Sequence, residues 1–496
     1  MRLKKLSIIL IVVIFLMTVL AGCMPKNISA NSPEEVINKE NNQTEKEHEE
    51  EKEPEIIEEV IPEVQFPDNT VFIKAKKQNI RQEALKDAKT VGSLSKGQAV
   101  LLLEEKKDES EILWSKISFV KDDGSEEVGW LKTEDTVKSW MNLLDEKYRD
   151  MDYSPQKKIV NYHENPRVKA RGIYVTIYSA SNSRIDELIE MAKRTSINTF
   201  VIDVKDDKGY MLFKTKAAEK YSPKANEKAT VKDIQALMKK LKDNNIYTVA
   251  RIVSFKDPTY TSHNPEKAII YKDTGKPYMN RDGLIWVSPH DRTLWEYNIA
   301  VSKEAAEVGF NEIQFDYVRF PASDGGKLDK HLDYRNETGE SKPGTIQNYL
   351  KYAKEQLSPL RVYISADVYG LVGSVEDDMS LGQHWEAVSN IVDYICPMMY
   401  PSHYANHTYG IPIPDANPYG TVFNSAKDSA GKNKNLKTPA IIRPWIQDFT
   451  ATWVKGYIKY GDKQVLEQIK ALEENGIDEF MLWNAGNRYS EGAVRK

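Results

Sequence analysis

Residues 310–321, FNEIQFDYVRFP, combine the composition of a buried strand with charge. Phe310, Ile313 and Phe315 favour β structure, yet Asp316 follows them directly, and Tyr317 and Arg319 come next. A buried charge without a partner is costly. Asp316 therefore either belongs to a structural ion pair or marks an active site at the end of a strand.

The surrounding segment, residues 170–486, alternates apolar strands with amphipathic helices. Eight segments have the length and composition of strands: GIYVTIY, TFVIDVKD, YTVARIVSF, EIQFDYVRF, VYISADVYG, YICPMMY, AIIRPWIQDF and EFMLWNA. Helical patterns lie between most of them: RIDELIEMAKRT, VKDIQALMKKLKD, LWEYNIAVSKEAAEV, IQNYLKYAKEQL and KQVLEQIKALEEN. Eight such units in about 300 residues predict a (β/α)8 TIM barrel. An open doubly wound sheet is the alternative, but no GxGxxG follows any strand.

Side-chain alternation along the strands predicts a shared polar face. On the fourth strand Gln314 and Asp316 have one parity, and Ile313, Phe315 and Tyr317 have the other. The same alternation places further polar or aromatic side chains inward near the ends of other strands: Asp203 and Lys205, Ser365 and Asp367, and Arg443, Trp445 and Gln447. We expect a polar pocket at the C-terminal face of the barrel, where TIM-barrel enzymes have their active sites.

Two carboxylates on neighbouring strands suit glycoside hydrolysis, because one acts as the nucleophile and the other as the general acid. Asp316 and Asp367 are the predicted pair. The predicted substrate-binding residues include Asp203 as a reserve carboxylate, and Lys205, Arg251 and Arg443 as cations that hold anions or an acidic sugar. Tyr400, Trp445 and Trp483 supply flat rings, and His403 and Gln447 supply polar groups. The alternative is that both aspartates are structural anions paired with Arg319, Arg251 or Arg443.

The motifs FDYVRFP, ISADVYG, CPMMYPSHY and FMLWNA are spread over residues 170–486. With them the segment resembles a bacterial TIM-barrel domain family labelled putative glycoside hydrolase. The resemblance implies a sugar-cleaving role without naming a substrate. We expect no cofactor and no metal.

A second resemblance is incomplete. FNEIQFDYVRFP is similar to the fourth-strand motif of chitinase-type barrels, FDGIDIDWEYP, and MMY of strand six also matches that group. Val318, however, stands where the catalytic Glu of the motif belongs, and Gln314 replaces an Asp. If the barrel is active, its acid must come from another strand, which again indicates Asp367.

Two other functions stay open. One is a glycan-binding protein that kept the barrel and lost the acid. The other is a metal-dependent polysaccharide deacetylase, because His403 and His407 are spaced i, i+4 and VIDVKDD supplies acids, although Pro, Asn and Gly around the histidines indicate a loop. The long loops 256–291, 321–344 and 401–438 carry many aromatic residues, which either line a glycan cleft or pack the loops down.

Residues 70–137 form a separate all-β unit. The pattern NIRQEALKDAKTVGSLSKGQAVLLLEE, followed by WSKISF and EVGWLKT, resembles bacterial SH3-like domains. That resemblance implies a small barrel that binds cell-wall peptides or glycans. Trp114 and Trp130 either form its core or provide a ligand platform. A connector over residues 138–169, helical at SWMNLLDEKY, leads to the large domain.

The first residues of the sequence predict an export signal. MRLKK is basic, SIILIVVIFLMTVLA is apolar, and LAGC resembles the lipobox of bacterial lipoproteins, which implies lipidation of Cys23. An uncleaved membrane helix is the alternative. Cys396 is then the one remaining cysteine, and it is interpreted as a small buried residue.

Residues 24–69 form an acidic tether. Between Glu34 and Glu63 there are thirteen glutamates and three lysines, a local charge of −10 against −5 for the chain. We expect this segment to be extended. We predict that the protein is extracytoplasmic and lipid-anchored to the cell membrane. Its expected partners are a polysaccharide and the cell wall, with no nucleic acid.

Overall fold

The structure is a computed structural model that describes residues 59–121 and 124–496. The predicted signal segment 1–23 with Cys23, and residues 24–58 of the predicted tether, lie outside the described residues. Within the described part of the chain, no helix has both the length and the apolar character needed to cross a membrane.

Eight parallel strands form a closed barrel. In chain order they are β1 (Arg171–Val175), β2 (Thr199–Lys205), β3 (Tyr247–Val253), β4 (Glu312–Asp316), β5 (Tyr363–Tyr369), β6 (Tyr394–Met399), β7 (Ile441–Ile442 and Trp445–Gln447) and β8 (Phe480–Trp483). Each strand pairs with the next, and β8 pairs with β1 to close the ring. The predicted TIM barrel is confirmed, and the open-sheet alternative is wrong.

Seven helices surround the barrel, each following one of the first seven strands: α1 (Arg184–Arg194), α2 (Ile234–Asp243), α3 (Arg292–Glu307), α4 (Lys342–Leu357), α5 (Trp385–Ile391), α6 (Pro418–Asn433) and α7 (Asp462–Glu473). The sequence patterns predict all of them except α5 and α6. All seven residues of α5 are buried, so α5 has no polar face to reveal a helical period. The α6 helix contains two glycines and is capped by the Asn417 side chain, which accepts a hydrogen bond from the Gly420 amide.

Shorter elements join these parts. Two pairs of short antiparallel strands link Glu59–Val60 with Ile159–Asn161 and Ile270–Tyr271 with Leu332–Asp333. The short helices are Glu146–Arg149, Ile177–Ala180, Lys216–Tyr221, Pro223–Glu227 and Pro258–His263. The 3-10 helices are Thr133–Asp135, Trp140–Leu143, Pro265–Lys267, Ser358–Leu360, Gly370–Gly373, Pro401–His403, Thr408–Gly410, Pro414–Ala416 and Glu491–Val494.

The large domain has two hydrophobic cores because strand side chains alternate between two faces. The outer core lies between strands and helices and includes Ile313 and Phe315. The inner core fills the barrel and includes Val201, Val249, Cys396 and Met481 among others. The buried thiol of Cys396 belongs to this inner core, as its interpretation as a packing residue predicts.

The N-terminal unit is an antiparallel sheet of seven strands. Their order across the sheet is Thr90–Ser95, Lys77–Arg81, Glu126–Lys132, Leu113–Val120, Ala99–Lys107, Thr70–Ile73 and Thr136–Val137. The predicted all-β unit is therefore confirmed, whereas its SH3-like binding role stays a prediction. Trp114 and Trp130 are buried and pack together with Ala84, which agrees with the packing alternative.

The connector between the two units closes the N-terminal end of the barrel. Ile159 and Tyr162 belong to the inner core, and the Tyr162 ring packs 5.0 Å from that of Tyr363. Phe72 of the sheet, Trp140 of the connector and Leu436 after α6 form a further buried cluster. The N-terminal end is thus covered, and the opposite end, where the strands terminate, is left for a site.

Candidate active site

The inward-facing residues at the carboxyl ends of the strands form one ring. Every strand contributes a side chain to it, directly or from the residue that follows: Tyr174, Asp203, Arg251, Asp316, Asp367, Tyr400, Trp445 and Trp483. We call Asp203, Arg251, Asp316 and Asp367 the upper cluster. Their contacts, described below, confirm the predicted shared face for these aspartates.

Arg251 is the centre of the upper cluster. Its Nη1 donates to Oδ1 of Asp203 at 2.5 Å, and its Nε donates to Oδ2 of Asp316 at 3.0 Å, with Nη2 bound to the same oxygen. Tyr174 donates its hydroxyl proton to the other Asp203 oxygen at 2.6 Å. Burial disfavours the guanidinium, but Asp316 and then Asp203 hold the pKa of Arg251 well above its ordinary value. Asp316 therefore pairs with Arg251, and its predicted alternative partners Arg319 and Arg443 do not contact it.

Asp367 is the one carboxyl of the upper cluster that pairs with no cation of the described residues. Its Oδ1 accepts a hydrogen bond of 2.7 Å from Nε1 of Trp445, and the residue is 1% exposed. Burial first, and then the charge of Asp316, raise the pKa of Asp367 well above its usual range, although Arg251 opposes them. Burial also raises the pKa of Asp203, with Arg251 again opposing. Since one guanidinium cannot balance three carboxylates, the cluster favours retaining a proton.

Asp316 and Asp367 are side by side. Phe315 pairs with Ala366 across the β4–β5 ladder, so the next residues on these parallel strands are also neighbours. Adjacent strands lie about 4.8 Å apart. Both side chains point into the barrel, as their contacts with Arg251 and Trp445 require. The arrangement fits two carboxyl groups that act on one bond.

The strand β4 ends in strained backbone. Tyr317, directly after Asp316, has φ = 49°, a left-handed conformation that is uncommon for a bulky residue. Tyr317 nevertheless packs against the outer core, as its predicted parity requires, and its ring contacts Trp286 of that core. Such strain persists where the surroundings impose it, and it occurs often at functional sites.

A second ionic group lies deeper in the barrel. Arg443 donates to both carboxylate oxygens of Glu312, at 3.0 and 2.7 Å, and to Glu479 at 2.7 Å, and its guanidinium lies 3.5 Å from the centre of the Tyr394 ring. We call Glu312, Arg443 and Glu479 the lower cluster. Glu312 begins β4, whereas Asp316 ends it. The structure therefore places Arg443, predicted to bind substrate, away from the upper cluster and fully buried.

The Lys205 side chain does not point in the direction that strand parity predicts. The β2–β3 ladder contains a bulge, because Asp203 pairs with Arg251 while Lys205, two residues on, pairs with Ile252. The extra residue turns Lys205 out of the barrel. Its ammonium donates to Asp257 at 2.9 Å and to Asn298 of α3 at 2.6 Å. The expectation that Lys205 shares the pocket face with Asp203 is wrong.

Gln447 is buried and holds loops together. Its side chain accepts a hydrogen bond from the Ser402 amide at 3.0 Å and donates to Asp415 at 3.0 Å. It thereby joins the end of β7 to the long segment after β6. Both the oxygen and the nitrogen of the Gln447 side chain are thus bonded within the protein and buried, so neither is exposed to a substrate.

Aromatic side chains lead from the upper cluster to the surface. The Trp483 ring stacks on Tyr174 at 4.1 Å and lies 6.3 Å from Tyr400. Tyr400 in turn is 6.0 Å from Phe449, which stacks on Trp453 at 6.0 Å. Trp453 is 67% exposed, an unusual position for a large indole. His403, also at the surface, packs edge-on to Tyr400 at 5.2 Å.

The sequence interpretation does not single out Tyr174, Phe449 or Trp453. Tyr174 has the inward parity on β1, which would have identified it. The segment after β7 carries Phe449, Trp453 and Tyr457 at intervals of four residues without a helical pattern, and this spacing is the signal that was available. Four aromatic residues of the long loops 256–291 and 401–438 are buried, which agrees with packing at these positions: Tyr260, Tyr278, Trp286 and Tyr404.

Two other sequence-based expectations can be located. Val318, which occupies the place of the chitinase-type acid, is fully buried in the outer core. His407 is exposed in a loop and has φ = 67°. Among residues 59–121 and 124–496, no three His, Cys, Asp or Glu side chains come together in a way that could hold a metal ion.

The family model described as "Putative glycosyl hydrolase domain" matches residues 172–489, more than half of the chain. None of the curated proteins matches the chain.

Solved structures also resemble parts of the chain. A hypothetical protein from Ruminiclostridium thermocellum ATCC 27405 is 35% identical over 40% of this chain and 97% of its own, with a TM-score of 0.34. The PgaB (BpsB) glycoside hydrolase domain from Bordetella bronchiseptica is 11% identical over 64% and 94%, with a TM-score of 0.46. The spore cortex-lytic enzyme SleL of Bacillus megaterium QM B1551 is 11% identical over 66% and 74%, with a TM-score of 0.37.

Proposed function

The chain belongs to the family described as "Putative glycosyl hydrolase domain", and on that premise we propose that it hydrolyses O-glycosidic bonds of a cell-wall or extracellular polysaccharide. One observation carries the proposal: Asp316, paired with Arg251, lies beside Asp367, whose pKa burial raises. Glycoside hydrolysis uses such a pair, in which one carboxyl is ionised and the other is protonated.

In the proposed mechanism Asp367 is the general acid. Its raised pKa favours the protonated carboxyl, and the hydrogen bond from Trp445 fixes the orientation of that carboxyl. Asp367 donates its proton to the glycosidic oxygen as the bond from that oxygen to the anomeric carbon breaks. The leaving sugar departs as an alcohol, so no alkoxide is formed.

Asp316 is the proposed nucleophile. The double contact with Arg251 fixes the position of its carboxylate and balances its charge. Its carboxylate attacks the anomeric carbon and forms a glycosyl ester. Water then attacks the same carbon, Asp367 accepts the proton of that water, and Asp316 is released. Side chains on adjacent strands suit the carboxyl separation of about 5 Å found in retaining enzymes.

The aromatic path from Trp483 to Trp453 provides stacking surfaces for further sugar rings. Asp203 and Tyr174 hold Arg251 from the other side. Asp367 and Asp316 are only 1% and 5% exposed. A sugar ring therefore reaches them only after side chains around them rotate, as in many enzymes that exclude water from the reaction.

We further propose that the enzyme acts outside the cell while anchored through lipid on Cys23. The support is the LAGC motif at residues 20–23, where the apolar segment ends, and the strongly acidic segment predicted to be a tether that follows. In this proposal the N-terminal all-β unit binds a cell-wall peptide or glycan and keeps the barrel near its substrate.

The test is hydrolysis of a panel of purified wall and extracellular polysaccharides by the full chain, measured as new reducing ends. Asp316→Asn and Asp367→Asn should each abolish most of the release, while Asp243→Asn, which removes an exposed carboxylate of α2, should not change it. If both site variants keep full activity, the site assignment is wrong. If glycans bind and none is cleaved, the protein is a glycan-binding module.

A further inference from the structure

Arg319 lies in a box of aromatic rings beside the proposed catalytic pair. The centre of its guanidinium is 4.7 Å from the Trp286 ring, 5.1 Å from Tyr317 and 4.7 Å from Tyr369. Tyr317 directly follows Asp316, and Tyr369 ends β5 two residues after Asp367. The box is therefore built on the ends of the two strands that carry the proposed nucleophile and acid.

Arg319 has no anionic partner within the described residues. It is 7% exposed, and no carboxylate there lies within 4.0 Å of it. Its only hydrogen bond among these residues runs from Nη1 to the Phe320 carbonyl oxygen at 2.9 Å. By contrast, Arg251 and Arg443, which lie inside the barrel, each contact two carboxylates.

The arrangement leaves donors of Arg319 available to a ligand. Its Nε and Nη2 make no hydrogen bond within the described residues, and the side chain keeps 7% exposure. Burying a cation without a counter-charge is unfavourable, and contacts with ring faces offset only part of that cost. A planar guanidinium held by rings presents the fork geometry that matches a carboxylate.

The nearby lysine differs in this respect. Lys256 is also buried, and its ammonium lies 4.5 Å from the centre of the Tyr317 ring. Its charge is already balanced by Asp282 at 2.7 Å and Asp207 at 3.3 Å. These two aspartates do not contact Arg319, so Arg319 is the residue with positive charge to offer.

We propose that Arg319 binds a carboxylate on the sugar next to the bond that is cleaved, so that the substrates are acidic polysaccharides containing hexuronic acid. This inference rests on the proposed function and narrows its substrate class. It moves anion recognition away from Lys205, Arg251 and Arg443, because each of those cations is bound to carboxylates of the protein.

The experiment measures equilibrium binding to the full chain. The probes are oligosaccharides of glucuronate, galacturonate and mannuronate, each paired with its carboxyl methyl ester, and their length is checked after each titration. At least one acid should bind about tenfold more tightly than its ester. Arg319→Gln should abolish that preference and leave ester binding unchanged, and Arg319→Lys should restore it in part.

Arg292→Gln is the matched control. Arg292 also lies over a ring, 3.6 Å from the centre of Trp295, but it is paired with Glu340 at 2.6 Å. This variant should keep the preference for acid. The proposal is overturned if no acid is preferred over its ester, or if Arg319→Gln keeps the preference.

Thermal unfolding tests whether Arg319 has a purely structural role. In that case Arg319→Gln would lower the melting temperature and keep the preference for acid over ester. If Arg319→Gln does not fold, the salt dependence of the wild-type chain decides. Raising salt must then weaken acid binding and leave ester binding unchanged. If neutral glycans are cleaved as fast as acidic ones, this inference is rejected and the proposed function stands. If acidic glycans bind through Arg319 and are not cleaved, the inference stands and the proposed function is rejected.

Discussion

The upper and lower clusters place an arginine between two carboxylates at two depths of the same barrel. In the lower cluster Arg443 is fully buried between Glu312 and Glu479. In the upper cluster Arg251 lies between Asp203 and Asp316, and a third carboxyl, Asp367, has no cation of its own. The upper cluster thus contains one more acidic residue than the lower cluster.

That one acid changes the chemistry. Arg443 is fully buried and two carboxylates balance its charge, so its removal would leave buried acids without a cation. An additional buried carboxyl must either take up a proton or remain unfavourably charged, and the raised pKa of Asp367 reflects the first outcome. The unpaired carboxyl of Asp367 is therefore what distinguishes the upper cluster from the lower one.

The largest expected effect concerns the proton of Asp367. With Asp367→Asn, kcat/KM for oligosaccharides should fall by about 10²–10⁴-fold, because the sugar leaving group needs a proton. For a dinitrophenyl glycoside of the same sugar the loss should be much smaller, since that leaving group departs without one. Steady-state kinetics on both substrates measures the ratio. Equal losses on both would mean that Asp367 is not the acid.

The second prediction breaks the lower cluster. Arg443→Met leaves Glu312 and Glu479 buried without their cation, which should reduce the free energy of unfolding by about 3–5 kcal/mol. Urea unfolding checks this value. The activity per folded molecule should stay close to that of the wild-type chain. A stable variant with lost activity would instead place Arg443 in the substrate site.

The third prediction concerns how stability changes with pH. Because burial and Asp316 raise the folded-state pKa of Asp367, the folded chain binds this proton more tightly than the unfolded chain. The resulting stabilisation is complete below the unfolded pKa of about 4 and is lost as pH rises through the raised folded pKa. Asp367→Asn should therefore gain stability relative to the wild-type chain as pH rises.

The control for this pH series is Ser365→Ala, which alters a neighbouring inward side chain without removing a titrating group. Its stability difference from the wild-type chain should be constant with pH. Unfolding free energies at a series of pH values give both curves. If the stability difference between Asp367→Asn and the wild-type chain does not change with pH, the pKa of Asp367 is not raised in the folded chain.

The smallest effect is expected at the surface end of the aromatic path. Trp453→Ala removes an exposed ring, and a stacking contact contributes about 0.5–1.5 kcal/mol. KM for long oligosaccharides should rise about 2–12-fold with kcat unchanged, and Trp453→Phe should keep most of the binding. Kinetics as a function of chain length measures this. An unchanged KM would exclude Trp453 from the cleft.

The barrel could be predicted because its signals are periodic. Strand composition and helical periods identify all eight strands and five of the seven helices, and parity places Asp203, Asp316 and Asp367 on one face. The helix α5 was missed because it has no exposed face. Lys205 was misplaced because a bulge is a local backbone event that side-chain alternation does not reveal.

The partners of the charges could not be predicted. Parity assigns Arg443 and Asp367 to the same face, yet only depth along the strand separates the lower cluster from the upper one. Pairing depends on which long side chain reaches which carboxylate across the barrel, and sequence spacing does not encode that distance. The positive φ of Tyr317, which ends β4 and places Arg319 in its aromatic box, is likewise visible only in the folded chain.

The most direct measurement compares one carboxyl from each cluster on the same strand. Glu312→Gln and Asp316→Asn each neutralise an acid of β4, and both are assayed for reducing-end release from one cleaved polysaccharide, normalised to folded protein. Asp316→Asn should lose about 10³-fold or more in kcat/KM, while Glu312→Gln stays within about threefold of the wild-type chain. Equal activities of the two variants, or equal losses, would contradict the assignment of catalysis to the upper cluster.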